Sequence, residues 1–111
     1  MKLLTKEIKE KLLKNHKLQQ KDDENYNPKP VVKFFNPTGL GTWLIADMDE
    51  DGICFGLCDL GEPELGYVAL KELEEIRLPF GLGIERDIHW ESKKSLNDYA
   101  NEARVVGYVN A

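Results

Sequence analysis

Glu85, Asp87 and His89 alternate along Ile84-Glu-Arg-Asp-Ile-His-Trp90, the spacing in this chain that most invites chemistry. On an extended strand alternate side chains point the same way. Neighbours on one face then stand roughly 6.6–7 Å apart, close enough for a general acid and base, or for two metal ligands with a third from elsewhere. The same alternation is also the pattern of a solvated outer face of an edge strand. A site needs a pocket as well, and the sequence shows none. Arg86 falls on the opposite face with Ile84, Ile88 and Trp90, which predicts partial burial beside an acid such as Asp59, Glu64 or Glu72. An anion-binding role for Arg86 is the alternative.

Asp47-Met-Asp-Glu-Asp-Gly52 sets acids at positions 1, 3 and 5 of a calcium loop and glycine at position 6. Position 12 is Cys58, where a bidentate glutamate should close the shell, and the flanks read as strands. Asp47, Asp49 and Asp51 are thus metal candidates only in outline; an acidic hairpin tip is the expectation, and no cofactor is predicted. Cys54 and Cys58 on one strand would lie about 13 Å apart, too far for a disulfide. They lack a second Cys or His pair at zinc spacing, and cysteine catalysis would need His16 or His89 brought alongside. Buried, reduced thiols in a cytoplasmic protein are expected. Trp43, Trp90, Tyr67 and Phe55 offer a base-stacking platform or, more simply, core.

Charge is unevenly spread. Residues 1–21 hold seven lysines and two glutamates, a local +5, so with a total of −5 the other 90 residues carry −10. Lys6, Lys9, Lys14 and Lys17 are the candidate binding residues of this segment, for nucleic acid or for a protein partner. A solvated helix face is the plainer reading. At 41% hydrophobic and 32% charged residues the chain is not disordered, and no window holds 18 apolar residues, so no membrane span is expected. Charge scattered through Met1-Lys-Leu-Leu-Thr-Lys-Glu-Ile8 argues against an export signal.

The elements that must position these residues follow from periodicity. Leu4, Ile8 and Leu12, with Leu3 and Leu13 beside them, predict a helix over about 3–18. Residues 1–20 are read as a basic amphipathic helix, 21–30 as a linker and 31–111 as an α+β body, one domain overall. Val31–Phe35 is a strand closed by a turn over 37–42, and 42–48 and 53–58 flank the Asp-Gly hairpin signal at 49–52. The stretch Phe55–Leu70 organises the core: Phe55, Leu57, Leu65, Tyr67 and Leu70 supply apolar mass. Gly56, Gly61 and Gly66 sit where a close backbone approach or a positive φ is expected. Leu70, Leu73 and Ile76 give a short helix ended by Pro79 and Gly81, residues 84–90 a last strand, and Ser95 caps a helix with the stripe Leu96, Tyr99, Ala100 and Ala103. The expected fold is α+β, a mainly antiparallel sheet of about five strands with helices at the start, middle and end.

The runs Val31-Val-Lys-Phe-Phe-Asn-Pro37, Thr42-Trp-Leu44, Phe55-Gly-Leu-Cys-Asp-Leu-Gly61, Pro63-Glu-Leu-Gly-Tyr-Val68, Leu70-Lys-Glu-Leu73 and Ile84-Glu-Arg-Asp-Ile-His89 carry a family resemblance. Together they resemble the bacterial family catalogued as domain of unknown function 2958, over nearly the whole chain. The resemblance implies a home on plasmids and other mobile DNA, and no activity or catalytic residue. With the acidic body and no convincing catalytic set, the first expectation is a non-enzymatic interaction or adaptor protein, acting on a host or plasmid nucleic-acid-handling protein. A nucleic-acid-binding module using the lysine-rich helix is the second expectation. A hydrolase or metal-dependent enzyme at Glu85, Asp87 and His89 is the third.

Overall fold

Thr5 decides where the first helix begins. Its Oγ1 accepts a hydrogen bond from the Ile8 N–H, which caps α1 (Lys6–Lys21). In the computed structural model, which describes residues 2–111, Leu3 and Leu4 therefore precede the helix as its lead-in. Leu3 and Leu12 are buried, with Ile8 and Leu13 packed beside them, so the apolar stripe docks α1 on the sheet.

The sheet is formed by β1 (Val32–Phe35), β2 (Thr42–Met48), β3 (Ile53–Asp59), β4 (Pro63–Ala69) and β5 (Glu85–Arg86). Its order is β4-β3-β2-β1-β5, antiparallel throughout. α2 (Leu70–Glu75) follows β4 directly, and α3 (Leu96–Val106) ends the fold, capped by Ser95, whose hydroxyl accepts from the Asp98 N–H. The protein is thus α+β. Strand alternation divides the core in two. Phe34, Trp43, Ile45 and Cys54 pack with α1 and α2, whereas Leu44, Ala46 and Leu57 pack with α3. No helix among the described residues is long and apolar enough to cross a membrane.

Gly56 is required by geometry. The β2–β3 register shifts between Ile45 and Asp47, a bulge that brings β2 close over β3. A Cβ at Gly56 would stand 2.0 Å from the Leu44 carbonyl oxygen. Gly66 differs from expectation, because no atom lies within 4 Å of its Cβ position and its φ is not positive. Tyr67 also departs from its expected core role. It is 76% exposed and leans on half-buried Phe55 with ring centroids 5.1 Å apart.

The segment between α1 and β1 is packed rather than loose. Tyr26 Oη donates to Asp47 Oδ2 at 2.7 Å, Pro30 is buried, and the Leu96 N–H donates to the Pro28 carbonyl at 2.9 Å. A larger correction concerns residues 84–90, where only Glu85 and Arg86 form strand. The Asp87 N–H still reaches the Lys33 carbonyl, but Asp87 Oδ1 then accepts from the His89 N–H, and the Trp90 N–H donates to the Asp87 carbonyl. The aspartate side chain offers the backbone a turn in competition with the ladder. Ile88 consequently points outward at 63% exposure instead of sharing a buried face with Ile84.

Candidate functional site

The turn at Asp87 separates the residues that alternation would align. Asp87 and His89 line a cleft of about 600 Å³ with Trp90, Lys94, Tyr99 and Glu102. Glu85 lines a different one, of about 430 Å³, with Leu3, Arg77 and Leu82. In the first cleft Lys94 pairs with Glu102, and Asn110 Nδ2 donates to the other Glu102 oxygen at 3.1 Å. The Lys94 and Asn110 hydrogen bonds together hold the Glu102 carboxyl below its usual range. Lys94 Nζ also sits 4.8 Å from the Tyr99 ring centroid. With Lys94 and Glu102 neutralising each other and Asp87 closing its own turn, the cleft presents His89 beside an aromatic wall, without Glu85.

Arg86 reaches the backbone ahead of α1. Its Nη1 donates to the Lys2 carbonyl at 3.1 Å and the Leu3 carbonyl at 2.8 Å, clamping the lead-in to α1 against β5. Two of the acids expected beside it lie elsewhere. Glu64 is in β4, at the opposite edge of the sheet. Asp59 accepts at Oδ1 from the Gly61 N–H at 2.9 Å and at Oδ2 from the Val109 N–H at 3.0 Å.

The three aspartates around the β2–β3 turn have separate tasks. Buried Asp47 takes the Tyr26 hydroxyl and has His16 Nδ1 3.5 Å from its Oδ1. Asp49 Oδ1 accepts from the backbone N–H groups of Asp51 and Ile53, which stabilises the hairpin turn. Asp51 is exposed at the tip. Among the described residues no group of three or more His, Cys, Asp or Glu is arranged to hold a metal ion. Burial pushes the Cys54 thiol up to about 12 and the Cys58 thiol up to about 11. Neither is a thiolate near neutral pH.

Lys6, Lys9, Lys14 and Lys17 are all exposed on the outer side of α1. Lys9 shares a cleft of about 540 Å³ with Asp49, Asp51 and Glu74, so acids of the hairpin tip and α2 border the lysine surface. The four aromatics do not form one platform. Trp43 is buried on the α1 side, and Phe55, Tyr67 and Trp90 belong to the other.

One surface escaped the sequence reading. Leu40, in the β1–β2 turn, and Leu60, in the β3–β4 turn, are 65% and 64% exposed, and Tyr108 after α3 is 56% exposed. These turns share one end of the meander. A Cβ at Gly61 would lie 3.4 Å from Leu40 Cδ2, and Asp59 ties both Gly61 and Val109 to the end of β3. The available signal was a large apolar residue beside glycine in each turn, Gly39-Leu-Gly41 and Leu60-Gly61, where polar residues are usual.

Neither a curated protein nor a solved structure matches the chain. A family model described as "Protein of unknown function (DUF2958)" matches residues 3–110, nearly the whole length, and the chain belongs to that family.

Proposed function

We propose that this protein is a non-enzymatic interaction module that docks a basic surface of a nucleic-acid-handling protein of a host or plasmid. The observation that carries this reading is the apolar end of the sheet formed by Leu40, Leu60 and Tyr108 on a body of net charge −10. Glu62 and Glu64 follow Leu60 along the chain and give that end an acidic rim. An apolar centre inside a charged rim is how protein interfaces combine affinity with partner choice. Capture of partners from host lysate by the tagged protein, with and without nuclease, tests the reading. A basic partner that survives nuclease, is released by salt and is lost with Leu40→Ser/Leu60→Ser supports it. An empty capture, or one that vanishes with nuclease, counts against it.

A second reading has its own observation. The apolar stripe of α1 is buried in the core, which leaves Lys6, Lys9, Lys14 and Lys17 facing outward as a cationic surface for nucleic acid. Deleting residues 1–21 would remove Leu3 and Leu12 from the core, so the test is charge substitution on the intact fold. Nuclease-sensitive capture that disappears with the substituted lysines favours this reading over the first.

A further inference from the structure

The apolar end continues onto the outer edge of β4. This strand is seven residues long and pairs with β3 through seven consecutive residue pairs without a register shift. The opposite edge strand, β5, has two residues. Exposed edges are usually blunted by lysine, an internal proline, a bulge or a cover. β4 has Pro63 only at its first position, carries no lysine and has no bulge. Among the described residues, the backbone of residues 63–69 makes no hydrogen bond to loops on its outer side.

Acids bracket this edge. Glu62 and Glu64 lie at its leading end and Glu72, Glu74 and Glu75 beyond its trailing end. The trailing acids have bases beside them: Lys71 is 3.9 Å from Glu75, Arg77 donates to the Glu74 carbonyl at 3.3 Å, and Lys9 lines a cleft with Glu74. An antiparallel second copy centred on Gly66 would set Glu64 of one chain against Val68 of the other and Glu62 against Leu70, with no base directly opposite either acid. Self-pairing thus leaves Glu62 and Glu64 without an opposite charge, whereas lysine or arginine in the flanks of an incoming strand is attracted to them. We propose that β4 accepts an extended segment of a partner protein, with apolar central residues and basic flanks, as a sixth strand of the sheet. Main-chain hydrogen bonds then give affinity, and alternate side chains give selectivity. Exposed Tyr67 and half-buried Leu65 meet apolar side chains on one face, and the open space at Gly66 admits a bulky one on the other. The inference rests on the docking reading and specifies how the partner is held.

The test is an NMR titration of the 15N-labelled full chain with a capped synthetic peptide, Lys-Lys-Val-Thr-Val-Thr-Val-Lys-Lys, and with its counterpart carrying Glu for every Lys. The expected result is amide shifts, with at least tenfold slower hydrogen exchange, concentrated in residues 64–69. The Glu-flanked peptide should bind at least tenfold more weakly, and Tyr67→Lys, a change at an exposed position, should weaken the Lys-flanked peptide by a similar factor. Unshifted β4 amides, or equal binding of the two peptides, overturn the proposal. So does a dimer in light scattering that Tyr67→Lys dissociates, since the edge is then occupied by a second copy. If β4 stays silent while lysate capture still yields a nuclease-resistant basic partner, this binding mode falls and the docking reading stands. If both fail, both fall.

Discussion

Tyr26 Oη donates to Asp47 Oδ2 at 2.7 Å, and this contact ties the segment between α1 and β1 to the bulge of β2. His16, 3.5 Å away on the other carboxylate oxygen, and Asn15, whose side chain donates to the Ala46 carbonyl, bring α1 to the same point. Tyr26→Phe removes the donor and leaves a buried carboxylate short of a partner. The expected loss is about 1–3 kcal/mol in urea unfolding at pH 7. The contact also sets a pH dependence. Burial first, then the Asp47 hydrogen bond and charge, raise the Tyr26 pKa above its ordinary 10.0. A raised pKa means the stabilisation is complete below pH 10 and is lost as pH climbs above it. Tyr26→Phe should therefore narrow the stability gap to the native protein as pH rises past 10. A constant gap across that range would show that Asp47 does not hold the phenol.

The thiols give a second check. With Cys54 raised to about 12 and Cys58 to about 11, chiefly by burial, the thiolate fraction at pH 8 is on the order of 100-fold or more below that of a free cysteine. Labelling of the folded protein by iodoacetamide at pH 8 should run on the order of 100-fold slower than in denaturant. Both raised values also mean that the thiols add stability below about pH 9 that is lost as pH climbs toward 11–12. Fast labelling of either residue in the folded state would mark an exposed thiol.

The elements of this fold were legible because local signals agreed: Ser95 before an apolar stripe, Asp49 before Gly52, and Ile8 and Leu12 one helical turn apart in α1. The candidate site was less legible because one side chain, Asp87, favours a turn where alternation alone reads strand. Alternation also cannot tell which partners Arg86 takes, since two of its acceptors are carbonyls 83 and 84 residues away in the chain. Tyr67 has the composition of core but lies on an edge strand, and edge position is a property of sheet order rather than of local sequence.

Asp59 offers a third test. Its two carboxylate oxygens each accept a backbone N–H, one from the β3–β4 turn and one from the segment after α3. Asp59→Ala leaves both donors without that acceptor and should cost about 2–4 kcal/mol, while Asp59→Asn, which keeps one acceptor, should cost roughly half as much. Limited proteolysis should then cut after α3 faster in the alanine variant. Equal proteolysis of both variants and the native protein would show that Asp59 does not anchor the tail.

Exchanging Lys6, Lys9, Lys14 and Lys17 together for glutamine separates the surface of α1 from its packing. All four are exposed, so the fold should stay within about 1 kcal/mol of native stability. On the docking reading a nuclease-resistant partner is retained by this variant. Loss of that partner would move the contact from the apolar end of the sheet to α1.

Gly56 and Gly66 lie on neighbouring strands, directly opposite each other, and yet predict opposite outcomes for the same substitution. A methyl group at Gly56 meets the Leu44 carbonyl oxygen at 2.0 Å and the Ile45 Cα at 2.9 Å, both backbone atoms of a central strand that cannot swing aside. Gly56→Ala should therefore cost at least about 3 kcal/mol, or abolish folding, because relief requires moving β2 and the two core clusters it joins. The same methyl at Gly66 enters open space with no positive φ to oppose it. Gly66→Ala should raise stability by roughly 0.4–1 kcal/mol, chiefly by restricting the unfolded chain. Urea unfolding of the two variants measures the contrast. Similar stabilities would mean that β2 does not approach β3 closely at the bulge, and would undo the register on which the placement of Asp47 depends.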